Sequence, residues 1–175
     1  MWLNPDNAIV MMEKVRDVLI EMHPEHRERY QLNYQNAVVR ITSQSKRIAE
    51  KMMEVMKIPF ITLHDGYQYF EEQYGLHSLG SILRHDEGAS AKRLSELREL
   101  IVNYNVRCIF KEAQYSDRAL KPLVDDFDID VVDLDSLGQR QSAELTHYTD
   151  FVEQFASTLY RSLIKDRLMT GPNIN

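Results

Sequence analysis

Residues 58–83, IPFITLHDGYQYFEEQYGLHSLGSIL, change periodicity twice within one stretch. The apolar, β-prone run 58–64 stops at His64-Asp65-Gly66 and reads as a strand. Residues 67–75 (YQYFEEQYG) follow as a short helix. Gly75 stops it, because glycine enters the left-handed conformation at a helix end without steric cost. Residues 76–83 (LHSLGSIL) then read as a second strand.

The same alternation continues downstream. Residues 90–105 predict a helix with Leu94, Leu97, Ile101 and Val102 on one face, and 106–110 (VRCIF) a strand. Residues 116–127 predict another helix, 129–134 (IDVVDL) a strand, and 148–166 a last helix carrying Phe151, Val152, Phe155, Leu159, Leu163 and Ile164. Strands that alternate with helices cannot be joined by hairpins. The expected fold class is therefore α/β, with a parallel sheet of about four strands flanked by helices.

Upstream the pattern is purely helical. Asn4-Pro5-Asp6 supplies a capping side chain and a proline at the first helical position, where its missing N–H costs nothing. His23-Pro24 ends this first helix. Residues 25–57 contain neither Pro nor Gly, so a second helix of roughly 30 residues, about 45 Å long, is predicted. That length suits either a helical hairpin packed on the domain or a spacer reaching toward another one.

The chain of 175 residues has the length of about one domain. Its net charge of −6 argues against a nucleic-acid partner, which calls for clustered Lys and Arg. No apolar run approaches the ~20 residues of a membrane span, and no secretory signal is read, so no direct membrane insertion is expected. Cys108 is the one cysteine and can form neither an internal disulfide nor a cysteine-rich zinc site.

In an open parallel sheet, ligands bind beyond the carboxyl ends of the strands. Those ends carry His64 and Asp65, then Glu112, then Asp133 and Asp135. An imidazole grouped with carboxylates suits a divalent metal such as zinc. The same residue types also serve as hydrogen-bonded surface histidines and helix caps. Asp126, Asp128 and Asp130 alternate like a calcium loop, but Val131 stands where that loop needs Gly, and a solvated edge is expected instead. His23 and His26 straddle Pro24, which breaks their register, and His77, His85 and His147 are read as surface residues. There is no phosphate loop, nucleophile elbow or H-E-x-x-H, so the chain does not read as an enzyme.

ITLHDGYQYFEEQYGL, VRCIFKEAQYS, VVDLDSLG and the opening WLNPDNA together resemble segments of the zinc-specific solute-binding proteins of bacterial metal ABC importers, in order and along essentially the whole chain. The resemblance implies two α/β lobes joined by one long helix, with the metal between them. Residues 1–23 would be the last helix of an N-terminal lobe, 24–57 the inter-lobe linking helix, 58–168 the C-terminal lobe and 169–175 a disordered tail. It also implies His64 and Asp135 as metal ligands, with Glu112 orienting a ligand from behind. Further ligand histidines would lie in the N-terminal lobe, one of them immediately before the position of Met1.

The implied activity is capture of Zn²⁺ outside the cytoplasmic membrane, in the periplasm of a two-membrane cell, and delivery to an ABC importer permease. Zn²⁺ would be cargo, bound weakly or not at all by this half-site. Two departures stand out: Thr158 replaces the cysteine that family members often pair with the Cys108 position, and Ala113 replaces a common proline. A relative carrying manganese or another metal is one alternative, and a Mg²⁺-dependent α/β phospho-acceptor domain is another, although no Lys positioned after a later strand is evident for it. A linking helix without its lobe would bare apolar side chains, so a homodimer through the long helix is a further expectation.

Overall fold

The computed structural model describes residues 1–83, 90–116, 118, 120–139 and 148–170. Helix α1 (Pro5–Met22) begins where Asn4 Oδ1 accepts the N–H groups of Asp6 and Asn7. It ends at His23, and Pro24–His26 form a 3₁₀ turn that reverses the chain. Helix α2 (Arg27–Met53) packs back along α1. Its 27 residues span about 40 Å. It is thus shorter at both ends than the pattern predicts. Pro24 imposes the tight turn at one end, and 3₁₀-type hydrogen bonds through Glu54, Val55 and Ile58 close the other, just before Pro59.

The strands β1 (Phe60–His64), β2 (Ser78–Leu83), β3 (Cys108–Lys111) and β4 (Asp130–Asp133) form one parallel sheet in the order β2-β1-β3-β4. Helices α3 (Gln68–Tyr74), α4 (Ala91–Tyr104), α5 (Lys121–Val124) and α6 (Tyr148–Thr170) connect and cover it. This is the α/β class expected from the alternation. Gly75 (φ 61°) and Asn105 (φ 50°) end α3 and α4 in the left-handed conformation.

Side chains leave each strand alternately to two cores. Phe60, Cys108 and Phe110 join Ile48, Met52, Phe70, Phe155 and Leu159 under α2, α3 and α6. Ile61, Leu63 and Ile109 join Leu97, Ile101, Leu120 and Leu123 under α4 and α5. Burial on both faces explains why these strands read as continuous apolar runs rather than alternating ones.

Two expectations change. The helix over 116–127 contracts to Lys121–Val124, with Pro122 in its first turn, where the missing N–H costs no hydrogen bond. The last helix continues past 166 to Thr170. Residues 171–175 of the expected tail, with His85 and His147, lie outside the described residues.

α2 is fastened to the α/β layer along its second half. Ile41, Ile48 and Met52 are buried there, and the buried Gln44 donates through Nε2 to the Thr149 carbonyl at the start of α6. Lys51 Nζ reaches Glu153 Oε1 at 3.0 Å. The other half of the hairpin is bare: Val10, Met11, Val15, Val18 and Met22 on α1, with Leu32 and Val39 on α2, are exposed.

Candidate metal centre

Because the sheet is parallel, the four strands deliver their carboxyl ends to one edge. Thr62 pairs with Phe110, and Phe110 with Val132. Two residues further along, His64, Glu112 and Leu134 leave the sheet at the same level, and Asp135 follows at once. β3 stands between the two candidate ligands, so their strands lie about 10 Å apart.

His64 ends β1 with a side chain 40% exposed. Its ring stacks on Tyr115 at 5.7 Å between centroids and 27° between planes. Nδ1 lies 3.6 Å from Oε1 of Glu112, whose residue is only 3% exposed. One edge of the imidazole therefore faces a buried carboxylate. Burial raises the Glu112 carboxyl above its ordinary value, opposed by its own backbone hydrogen bond and by the His64 imidazole.

The turn after His64 makes this pairing possible. The Gly66 N–H donates to the His64 carbonyl at 2.9 Å, folding the backbone over the pair. A Cβ at Gly66 would sit 3.0 Å from Glu112 Oε1 and 3.3 Å from His64 Nδ1. A methyl group here would press on both side chains and make one of them give by a few tenths of an ångström.

On the far side of β3, Asp135 Oδ1 accepts the N–H groups of Leu137 (3.2 Å) and Gln139 (3.0 Å), which fixes the loop beyond β4. Trp2 reaches the same loop, its Nε1 donating to the Ser136 carbonyl at 2.9 Å, while the Tyr148 hydroxyl donates to the Trp2 carbonyl at 2.7 Å. Asp133 is ion-paired with Lys111 at 2.8 Å. Among the described residues no three His, Cys, Asp or Glu side chains converge closely enough to enclose a metal ion.

Residues 1–162 match the sequence model of the family described as zinc-uptake complex component A, periplasmic (ZnuA). The chain belongs to the ZnuA family. It is 31% identical over 163 residues to the high-affinity zinc uptake system protein ZnuA of Brucella abortus, covering 93% of this chain and 48% of that relative. A Zn(II)-bound variant of Streptococcus pneumoniae AdcAII superposes with a TM-score of 0.77 at 28% identity, over 93% of this chain and 59% of that one. The laminin-binding protein Lbp of Streptococcus pyogenes shares the fold, with a TM-score of 0.81 at 23% identity and coverage of 93% and 63%. The chain spans about half the length of the curated ZnuA relatives it matches.

In this ZnuA-family chain the three residues singled out from sequence come to one edge of the sheet, with Glu112 against His64 and Asp135 across β3. The aspartates once read against a calcium loop pair separately, Asp126 with Arg98, Asp128 with Arg107 and Asp130 with Lys165, as a solvated edge should. The 3₁₀ turn brings His23 and His26 to the same Glu25 oxygen, at 3.5 and 3.7 Å, on the surface, with their ring centroids 6.4 Å apart. Cys108 is a buried thiol. Lys111 is the last residue of β3, buried and held by Asp133. Gly66, Tyr67 and Tyr115 neighbour these groups without being singled out from sequence. The signal for the first two was the short spacing His64-Asp65-Gly66-Tyr67 at a strand end.

Proposed function

We propose that this chain is the C-terminal lobe and linking helix of an extracytoplasmic zinc-binding protein, periplasmic in a two-membrane cell, that captures Zn²⁺ and delivers it to an ABC importer permease. The observation that carries this reading is the His64–Glu112 arrangement. A histidine whose Nδ1 faces a buried carboxylate leaves Nε2 for a metal, the usual build of a zinc-ligating imidazole. Asp135, oriented by two backbone N–H groups, supplies a carboxylate from across β3. The likeness to zinc-uptake relatives supports zinc as the cargo, and an imidazole at this position favours it over manganese.

Two ligands cannot complete a tetrahedral zinc site, so the remaining donors come from an N-terminal lobe that packs on α1 and the first half of α2. The role is binding and transfer, without catalysis. The domain reading follows: residues 1–23 belong with the N-terminal lobe, 24–57 link, and 58–168 form the C-terminal lobe. In the chain by itself the bare helical hairpin pairs with a second copy.

Zinc titration calorimetry on this chain tests the half-site. A dissociation constant weaker than micromolar, weakened further in His64→Ala, is expected. Sub-micromolar binding centred on His64 would overturn the shared site, and an unchanged affinity in His64→Ala would overturn the ligand assignment.

A further inference from the structure

Tyr67 opens α3 three residues after His64 and is 1% exposed, with its ring packed on Phe155 at 5.4 Å. Phenylalanine would fill that space equally well, and a buried hydroxyl without a partner is destabilising. Among the described residues, Tyr67 Oη and Glu112 Oε2 are both buried without a hydrogen bond of ordinary geometry, and the two groups face each other. The other oxygen of the same carboxylate, Oε1, faces His64 Nδ1. Gly66, the residue before Tyr67, lets the backbone pass close over the pair without a Cβ at 3.0 Å from Glu112 Oε1.

We propose that Tyr67 is a positioning residue for the metal-binding imidazole: its hydroxyl donates to Glu112 Oε2, holding Oε1 to accept from His64 Nδ1–H and leaving Nε2 as the outward lone pair. Both orphaned buried atoms are satisfied by one hydrogen bond. The carboxylate is also fixed against rotation, so the imidazole keeps one tautomer before any cation arrives. The inference rests on the reading of His64 as a zinc ligand, but the tautomer it predicts exists in the metal-free chain.

The test is long-range ¹H–¹⁵N correlation NMR of the metal-free full chain, which assigns the His64 tautomer directly. The Nδ1–H form is expected to dominate in the wild type. Tyr67→Phe, which removes one oxygen, should produce a mixture with the Nε2–H form that predominates in free histidine, and should weaken zinc binding about tenfold. A purely structural hydroxyl would lower thermal stability and leave the tautomer unchanged, and that result overturns the proposal. So does a wild-type His64 in the Nε2–H form, which needs no variant to fold. Glu112→Gln should disturb the tautomer as Tyr67→Phe does, and an undisturbed His64 there also overturns it. Failure of zinc binding with the tautomer as predicted would overturn the cargo assignment and leave the relay standing.

Discussion

The indole of Trp2 donates to the carbonyl of Ser136, 134 positions away in sequence, at 2.9 Å. The second residue of the chain is thereby tied to the loop that carries Asp135. Trp2→Phe keeps a ring and deletes the donor. It should cost about 1 kcal/mol, lower the melting temperature by a few degrees, and speed amide exchange at Leu137 and Gln139, whose N–H groups hold Asp135. Unaltered exchange at those two amides would show that the indole does not brace the loop.

Gly66 and Gly75 offer a matched pair of substitutions. Gly66→Ala pushes a methyl group between Glu112 Oε1 and His64 Nδ1. A loss of stability of about 1–2 kcal/mol should accompany a drop in zinc affinity of about tenfold or more. Gly75→Ala instead strains a left-handed helix end, at φ 61°. It should cost about 1 kcal/mol with zinc affinity unchanged. Chemical denaturation and calorimetry on both variants separate the two effects.

Glu71 sets a pH dependence of its own. Burial, reinforced by the charge of Asp65 and opposed by the Ser78 hydroxyl, raises its carboxyl from the ordinary 4.5 to about 7. The folded chain then binds a proton that the unfolded chain releases, so this contribution is complete below about 4.5 and is lost as pH rises through 7. The full shift corresponds to about 3 kcal/mol, and partial solvent access reduces it to about 1–2 kcal/mol. Glu71→Gln should match the wild type near pH 4.5, exceed its stability by that amount at pH 8, and flatten the slope between.

Met11, Val15, Val18 and Met22 lie along one exposed face of α1 at spacings of four, three and four. Lys14 and Glu21 flank them, so an antiparallel second copy would set opposite charges together. Analytical ultracentrifugation should show concentration-dependent dimers. Val15→Glu combined with Val18→Glu should leave a monomer of unchanged melting temperature, since both residues are exposed in the single chain. This stripe lies beside the long helix expected from sequence as a dimer surface, on which Leu32 and Val39 are also exposed.

The sheet was legible because each strand is a short β-prone run between helical periods, and a parallel order follows once hairpins are impossible. Element ends were less legible. A proline can stand in the first turn of a helix as readily as end one, and only the fold reveals that Pro122 does so in α5. His64, Glu112 and Asp135 were read as strand-end donors and, by family resemblance, as a set. Their mutual distances depend on register: β3 pairs with β1 through Ile61 and Thr62 and with β4 through all four of its residues. Tyr67 was illegible as a partner of Glu112, because an aromatic residue opening an amphipathic helix reads as core.

The Trp2–Ser136 hydrogen bond also decides how the protein should be handled. The Met1 carbonyl accepts from the Asn4 N–H and the Asn7 side chain, so the start of the chain is pinned beside the Asp135 loop. A polyhistidine purification tag on that end would hang its imidazoles over the same edge as His64 and compete there for every zinc ion added. Affinities measured with such a tag would describe the tag, and the opposite terminus is the place to put it.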